Sequence, residues 1–497
     1  MAENISETGK NSTDNLAEGA KGGAIAFILK ISGTVLGFLN QVILAKILGA
    51  GGLGEVVLAV TVVRISIQIA KFGMEETMMK FIPLYIDRND GDYLKGTISF
   101  AIKFCLLISV TFMLVILAFS KFIAINMFHS EGLLKLMPVA VIAIPAWALR
   151  DVIGGILRGY KDTFRSLISE SFISPFFRIV IFLILILQDI STLYAIVAFV
   201  FGEMLSMIVS VKFLLSKAKR IRAAKKQCDK MKILEVAYSV IFTSMGAMLY
   251  TQADIWILGM YTSTETVGIY GVAAKLVLLV YFPMMAFSSI IPPLISSIHS
   301  SGDTGELKKV VSESTRWILS TAMPIILILS IEGEYILKYF YKPEFAAGYY
   351  VLLILTLCQM VKAGSGLTGV ILQMTGGHKF FMKVNIAGGI LNVFLNVILV
   401  PRLGMIGAAL SSAFCIIIID VICIYVIYRR LSLITIAKGI KFDLVFIGTI
   451  ATTYVIMYYI NFDSGPHLLL GISLAVYIWK TIANHDIPWR LLLAGKR

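Results

Sequence analysis

The sequence predicts an all-α, polytopic membrane protein of about 14 transmembrane helices, and three observations carry that expectation. Of 497 residues, 58% are apolar and only 15% charged, where a soluble domain carries about 25% charged residues. The mean hydropathy is +0.87. The apolar residues gather in stretches near the ~20 that a bilayer core requires, and basic residues collect between alternate stretches. A soluble enzyme, a disordered chain and a disulfide scaffold are excluded on these grounds.

The expected spans run, in order, over 22–45, 52–71, 97–118, 135–157, 168–187, 191–214, 235–258, 267–290, 315–333, 346–371, 382–400, 404–428, 440–460 and 466–482. Residues 1–21 form a polar, acid-bearing segment without the basic stretch and small-residue cleavage site of a secretory signal, and are expected to be a cytoplasmic tail. With the N-terminus inside, most of the 44 Lys and Arg fall in inner loops and tails. The densest group is a linker with Lys217, Lys219, Arg220, Arg222, Lys225, Lys226, Lys230 and Lys232. The few outer bases are Lys46, Lys121, Lys135, Lys338, Lys342 and Arg402. The net charge of +14 therefore records topology and contact with anionic membrane lipids, and nucleic acid is not an expected partner.

A weak internal repeat organises the chain. Gln41, Leu48-Gly49 and Gly54 are echoed by Gln252, Leu258-Gly259 and Gly268, and Ile156-Leu157 by Ile371-Leu372 at an offset of 215. Because six spans precede the linker, both halves start on the inner side, which makes the repeat parallel. The expected organisation is a six-helix lobe at 22–214, a basic linker at 215–234, a second six-helix lobe at 235–428, and a helix pair with a cytoplasmic tail at 429–497.

Motifs for soluble chemistry are decoys. Gly49-Ala-Gly51-Gly52-Leu-Gly54 and Gly364-Ser-Gly366-Leu-Thr-Gly369 satisfy G-x-G-x-x-G, but neither follows a strand in a βαβ unit. The first joins two apolar helices; the second lies within a span, where glycines permit close packing or a break. The five cysteines lack metal-ligand spacing, and no metal is expected.

Ionisable residues within spans are more informative, since each costs about 2.5–3.5 kcal/mol at a helix centre and so faces a cavity or a partner. The basic set is Lys30, Arg64, Lys103, Arg178, Lys275 and Lys362; the acidic set is Glu203, Asp254 and Asp420. Lys30 and Lys103 lie near the inner surface, where they can snorkel. Arg64 and Lys275 occupy nearly equivalent faces of repeat-related helices. The excess of bases suits a polyanion or phosphate and repels organic cations, unless the charges pair into a neutral structural network. Asn385, Asn392 and Asn396 share one stripe of the eleventh span; helix–helix hydrogen bonding and contact with sugar hydroxyls both remain open.

The residues then resemble a family. The segment from Asn392 through Asn396, Pro401 and Gly404 to Ala409 is similar to the eleventh-to-twelfth helix signature of polysaccharide flippases. Leu44 to Gly54 is similar to their first loop, and Asp254-Ile-Trp-Ile-Leu258-Gly259 with Gly268-Ile-Tyr-Gly to their seventh-to-eighth junction. The family is the Wzx-like polysaccharide transporter group, in the superfamily that includes MurJ and the MATE exporters. The resemblance implies two lobes that move a polyprenyl-diphosphate-linked oligosaccharide across the cytoplasmic membrane by alternating access, for cell-surface polysaccharide assembly. It also implies cavity cations that hold the diphosphate, with Arg64 and Lys275 on the helices where MurJ-like members place bases; among the charges within spans, Arg178, Lys362 and Lys30 are expected to join them, with Glu203, Asp254 and Asp420 as counter-ions or coupling groups. Lys275 stands where MurJ-like members favour Arg. No cofactor is expected; coupling to H+, Na+ or the membrane potential is. Glycan polymerases and glycosyltransferases are the expected partners of a monomeric transporter. Two other classes compete: a MATE-type drug exporter, which would need an acidic cavity, and a membrane glycan ligase or polymerase, which would need catalytic groups on an outer loop.

Overall fold

A computed structural model describes residues 2–185, 191–218, 226–288, 291–433 and 435. Every regular element among them is helical. In chain order these are α1 (Ala2–Ala70), α2 (Met74–Asp87), α3 (Gly91–Ala118), α4 (Glu131–Ala140), α5 (Ala143–Gly159), α6 (Thr163–Leu167), α7 (Ser174–Leu185) and α8 (Thr192–Ala218). There follow α9 (Lys230–Tyr261), α10 (Thr264–Phe287), α11 (Ile291–Ser301), α12 (Thr304–Ile331), α13 (Gly333–Ile336), α14 (Tyr349–Ser365), α15 (Thr368–Met374) and α16 (His378–Leu431). Helix starts are capped where the chain leaves a loop: Asp90, Ser130, Asp162 and Asp303 each accept a bond from a backbone N–H three residues on.

Eight helices among the described residues are long and apolar enough to cross a membrane, or ten when two bent pairs each count as one span. Two of the eight, Ile28–Asp87 at 60 residues and His378–Leu431 at 54, greatly exceed the ~20 that a bilayer needs. Each is broken by a glycine in a conformation that L-residues avoid: Gly49 at φ 69° and Gly404 at φ 56°. The two arms of α16 fold back on one another, since Asn392 donates to Ser412 and Gly388 lies against Ile419. Divided at these glycines, the helices occupy the first twelve expected spans. The thirteenth and fourteenth lie outside the described residues, and the polar segment 1–21 continues α1 back to Ala2.

The chain forms two compact units, Met1–Gly271 with Asn396–Gly404, and Val272–Leu395 with Met405–Arg497. In the first, α5 is central and packs against α1, α2, α3 and α8. Gly54 and Gly268, paired by the repeat, also pack together: a Cβ at Gly54 would strike the Thr264 carbonyl, and one at Gly268 the carbonyl of Ala50. Both positions require glycine for close helix approach, not for a nucleotide. In the second unit α12 packs on α14.

The repeat has structural counterparts. A π-helical turn at Phe122–Met127 recurs at Leu337–Tyr341, its start displaced by 215 residues. The break before α6, at Asp162, recurs before α16 at Gly377, again 215 residues on. The offset read from Ile156-Leu157 is thus also the offset of irregular backbone.

Candidate functional site: an arginine cluster around one carboxylate

Four helices of the first unit bring charge together, and helical spacing explains how. On α5, Trp147, Arg150 and Asp151 are three and four residues apart; on α7, Ser174 and Arg178 are four apart; on α8, Phe199 and Glu203 are four apart. Each set shares one face of its helix. Arg64 reaches the same place from α1.

Glu203 is the centre, only 1% exposed. It accepts a charge-assisted bond from Arg150 and a hydrogen bond of 2.7 Å from the Ser174 hydroxyl. Arg178 stands 3.5 Å from the same oxygen that Ser174 bonds, too far for a good hydrogen bond, and donates to Ser174 at 2.9 Å. Aromatic faces set the planes of the guanidinium groups. Arg64 and Arg150 lie 5.7 and 5.2 Å from the Trp147 ring centroid, and Arg178 lies 5.0 Å from that of Phe199. Trp147 and Phe199 meet edge to face at 5.7 Å.

The arginines differ in how firmly they are held. Arg150 is buried and clamped, since it also donates to Asp151 at 2.8 and 3.2 Å. Arg178 keeps 24% of its side chain exposed. Arg64 is exposed and makes no ion pair among the described residues.

From Asp151 the alternation of charge continues. Lys71 lies 3.7 Å from Asp151 and 2.6 Å from Glu75; Arg158 lies 2.6 Å from both Glu75 and Glu170. Arg178, Arg150, Lys71 and Arg158 thus balance Glu203, Asp151, Glu75 and Glu170, and Arg64 is the cation left over. Much of the expected neutral network exists, but it ends on an unmatched guanidinium beside two others.

Arg150 and Asp151 are the functional residues that sequence reasoning missed. Both lie inside the fourth expected span, so the rule that picked out Arg64 applies to them equally; an adjacent pair of opposite sign passes unnoticed because it adds no net charge. Lys71, Glu75, Arg158 and Glu170 sit near span ends, where charges read as boundary residues.

The second unit carries a carboxylate of another kind. Asp420, 6% exposed, accepts from the hydroxyls of Ser365 at 3.0 Å and Thr368 at 3.1 Å. These flank Gly366, at φ 75° and ψ −153°, which separates α14 from α15. The second G-x-G-x-x-G is therefore a helix break. Lys362 stands half-buried, its ammonium 5.9 Å from the Tyr281 ring centroid.

The remaining candidates are dispersed. Lys30 and Lys103 are exposed, on α1 and α3. Lys275 is half-buried on α10 in the second unit. Asp254 accepts from the Tyr270 hydroxyl at 2.7 Å and from the Asn396 amide at 3.0 Å. Of the asparagine stripe, Asn392 bonds Ser412 at 3.1 Å and Asn385 its own helix at Phe381.

Comparison with known proteins gives the family of the chain. The profile of a family described as "Polysaccharide biosynthesis protein" matches residues 20–299, more than half of the chain. The chain belongs to that family. A second family profile, MatE, matches residues 239–398. A relative from Haloferax volcanii, a probable low-salt glycan biosynthesis flippase named Agl15, is 26% identical over 35% of this chain and 37% of its own length. Among solved structures, the lipid II flippase MurJ in an inward closed conformation has a TM-score of 0.72 at 17% identity, covering 93% of this chain and 99% of MurJ. An inward-facing MATE multidrug transporter of the MOP superfamily has a TM-score of 0.68 at 13% identity, covering 82% and 98%. The family resemblance read from the sequence holds, and the fold is the all-α, multi-pass membrane fold of those solved structures.

Proposed function

We propose that this protein flips a polyprenyl-diphosphate-linked oligosaccharide across the cytoplasmic membrane, N-terminus inside, by alternating access. The observation that carries the proposal is the guanidinium cluster, three arginines around one buried carboxylate with Arg64 free of any ion pair among the described residues. A diphosphate would meet Arg64 first and then draw Arg178 from its long contact with Glu203. Arg150 would stay with Glu203 and Asp151, and so hold the frame rather than the cargo. Planar guanidinium groups suit the oxygens of a phosphate. The family membership and the likeness to flippases support this reading; glycan polymerases, glycosyltransferases and anionic lipids are proposed as its surroundings.

The test is transport of a fluorescent lipid-diphosphate oligosaccharide by purified protein in proteoliposomes. The proposal expects flipping by the native protein and its loss in Arg64→Glu without loss of folding; transport unchanged in that variant would defeat it. A second reading, export of organic cations, is favoured by the MatE match at 239–398. Uptake of a cationic dye by the same vesicles, insensitive to Arg64→Glu, would support it instead.

A further inference from the structure

The repeat pairs the same two spans in both halves and exchanges what they carry. Lys362 follows Trp147 by 215 residues, as Ser365 follows Arg150; Tyr281 follows Arg64 by 217, as Asp420 follows Glu203. In the first half a guanidinium on the second span lies over an indole on the fourth, Arg64 at 5.7 Å from the Trp147 ring centroid. In the second half the ammonium is on the fourth span and the ring on the second, Lys362 at 5.9 Å from the Tyr281 centroid. Cation and aromatic have changed places, and the pairing is the same.

In each half the cation also has a carboxylate at hand that it does not reach. Glu203 is near enough to attract Arg64, and Asp420 to attract Lys362. Neither cation makes an ion pair among the described residues. Two opposite charges in a dry interior attract more strongly than a cation and a ring, so the ring must win by position. Trp147 is itself fixed: it is the sole aromatic residue of α5, meets Phe199 edge to face at 5.7 Å, and carries Arg150 at 5.2 Å from its centroid. A cation bonded to a carboxylate is neutral to an incoming anion. One held on a ring is partly stabilised, yet keeps its charge and its N–H donors.

We infer that Trp147 and Tyr281 are positioning residues for an anionic cargo, each holding the free cation of its half, Arg64 or Lys362, away from the neighbouring carboxylate and available to a phosphate. The inference rests on the proposed reading that cations within the spans meet a diphosphate, and adds the residues that keep them unpaired. Loss of either ring frees its cation to pair with Glu203 or Asp420. Cargo then has an ion pair to break before it binds.

The experiment reads binding and transport together. Purified full-length protein in nanodiscs is unfolded by heat as sodium pyrophosphate replaces sodium chloride at constant ionic strength, and flipping of the lipid-diphosphate oligosaccharide is followed in proteoliposomes. The native protein should show a saturable rise in unfolding temperature with pyrophosphate. Trp147→Leu should move half-saturation upward by about tenfold, the worth of a desolvated cation–π contact. It should raise the KM for flipping similarly and leave kcat little changed. Trp147→Phe, which keeps a ring face, should stay near native, and Tyr281→Leu and Tyr281→Phe should repeat the pattern. In an Arg64→Gln background Trp147→Leu should add nothing, whereas a ring with only a packing role would still shift half-saturation there. Equal half-saturation in the native and Leu variants overturns the inference and leaves the transport reading standing. So does Phe falling as far as Leu at both positions, since the ring face would then not be at work. A native protein that neither binds pyrophosphate nor flips the lipid overturns both. If Trp147→Leu does not fold, the two Tyr281 variants decide.

Discussion

The two halves of the chain solve the same problem in opposite ways. In the first, Glu203 is buried against Arg150 with Arg178 and Arg64 close by, so the carboxylate is outnumbered. In the second, Asp420 is buried against two hydroxyls, so the carboxylate outweighs its direct partners. One fold therefore carries a cation-rich cluster and a carboxylate bonded only to hydroxyls at matching points of its repeat. The sign of the site is set by single residues on the fourth helix of each half, not by the helical frame.

The largest expected effect tests the ionic half. Glu203→Ala leaves buried Arg150 short of its partner and should cost about 3–5 kcal/mol, read from denaturant or thermal unfolding of the purified protein. Replacing both, Arg150→Met with Glu203→Met, should recover much of that loss. Next, Arg178→Glu should reduce transport by roughly tenfold to a hundredfold, the worth of one charge-assisted hydrogen bond of about 1.5–3 kcal/mol. Rescue by Arg178→Lys should be partial, because an ammonium cannot make the planar contact with Phe199. Asp420→Asn should cost only about 1 kcal/mol, since an amide keeps one acceptor for the two hydroxyls. If it costs as much as Glu203→Ala, the contrast between the halves is wrong. The smallest effect belongs to Asn392→Leu, which removes an interhelical bond worth about 0.6 kcal/mol in membrane proteins.

Periodicity and hydropathy made the helices legible, because a bilayer admits little else that is apolar for twenty residues. The breaks at Gly49 and Gly366 were legible as clusters of glycine, though only the backbone separates a packing glycine such as Gly54 from a turning one such as Gly49. Arg64, Arg178 and Glu203 stood out as isolated charges in apolar sequence. Their union did not, because pairing between helices depends on how each is rotated, which spacing within one helix leaves open. The asparagine stripe shows the limit well. A single spacing rule put three amides on one line, yet one bonds its own helix, one a serine and one an aspartate.

The turn at Gly404 has a practical consequence for anyone mapping this protein in a cell. One glycine reverses a 54-residue helix with no loop between its arms. Nothing at this bend offers a protease a strand to cut or an antibody a segment to grip. A topology map drawn from loop accessibility would count the two arms as one crossing. Cysteines placed on the helix itself, at the exposed positions 401–403, would report the true reversal.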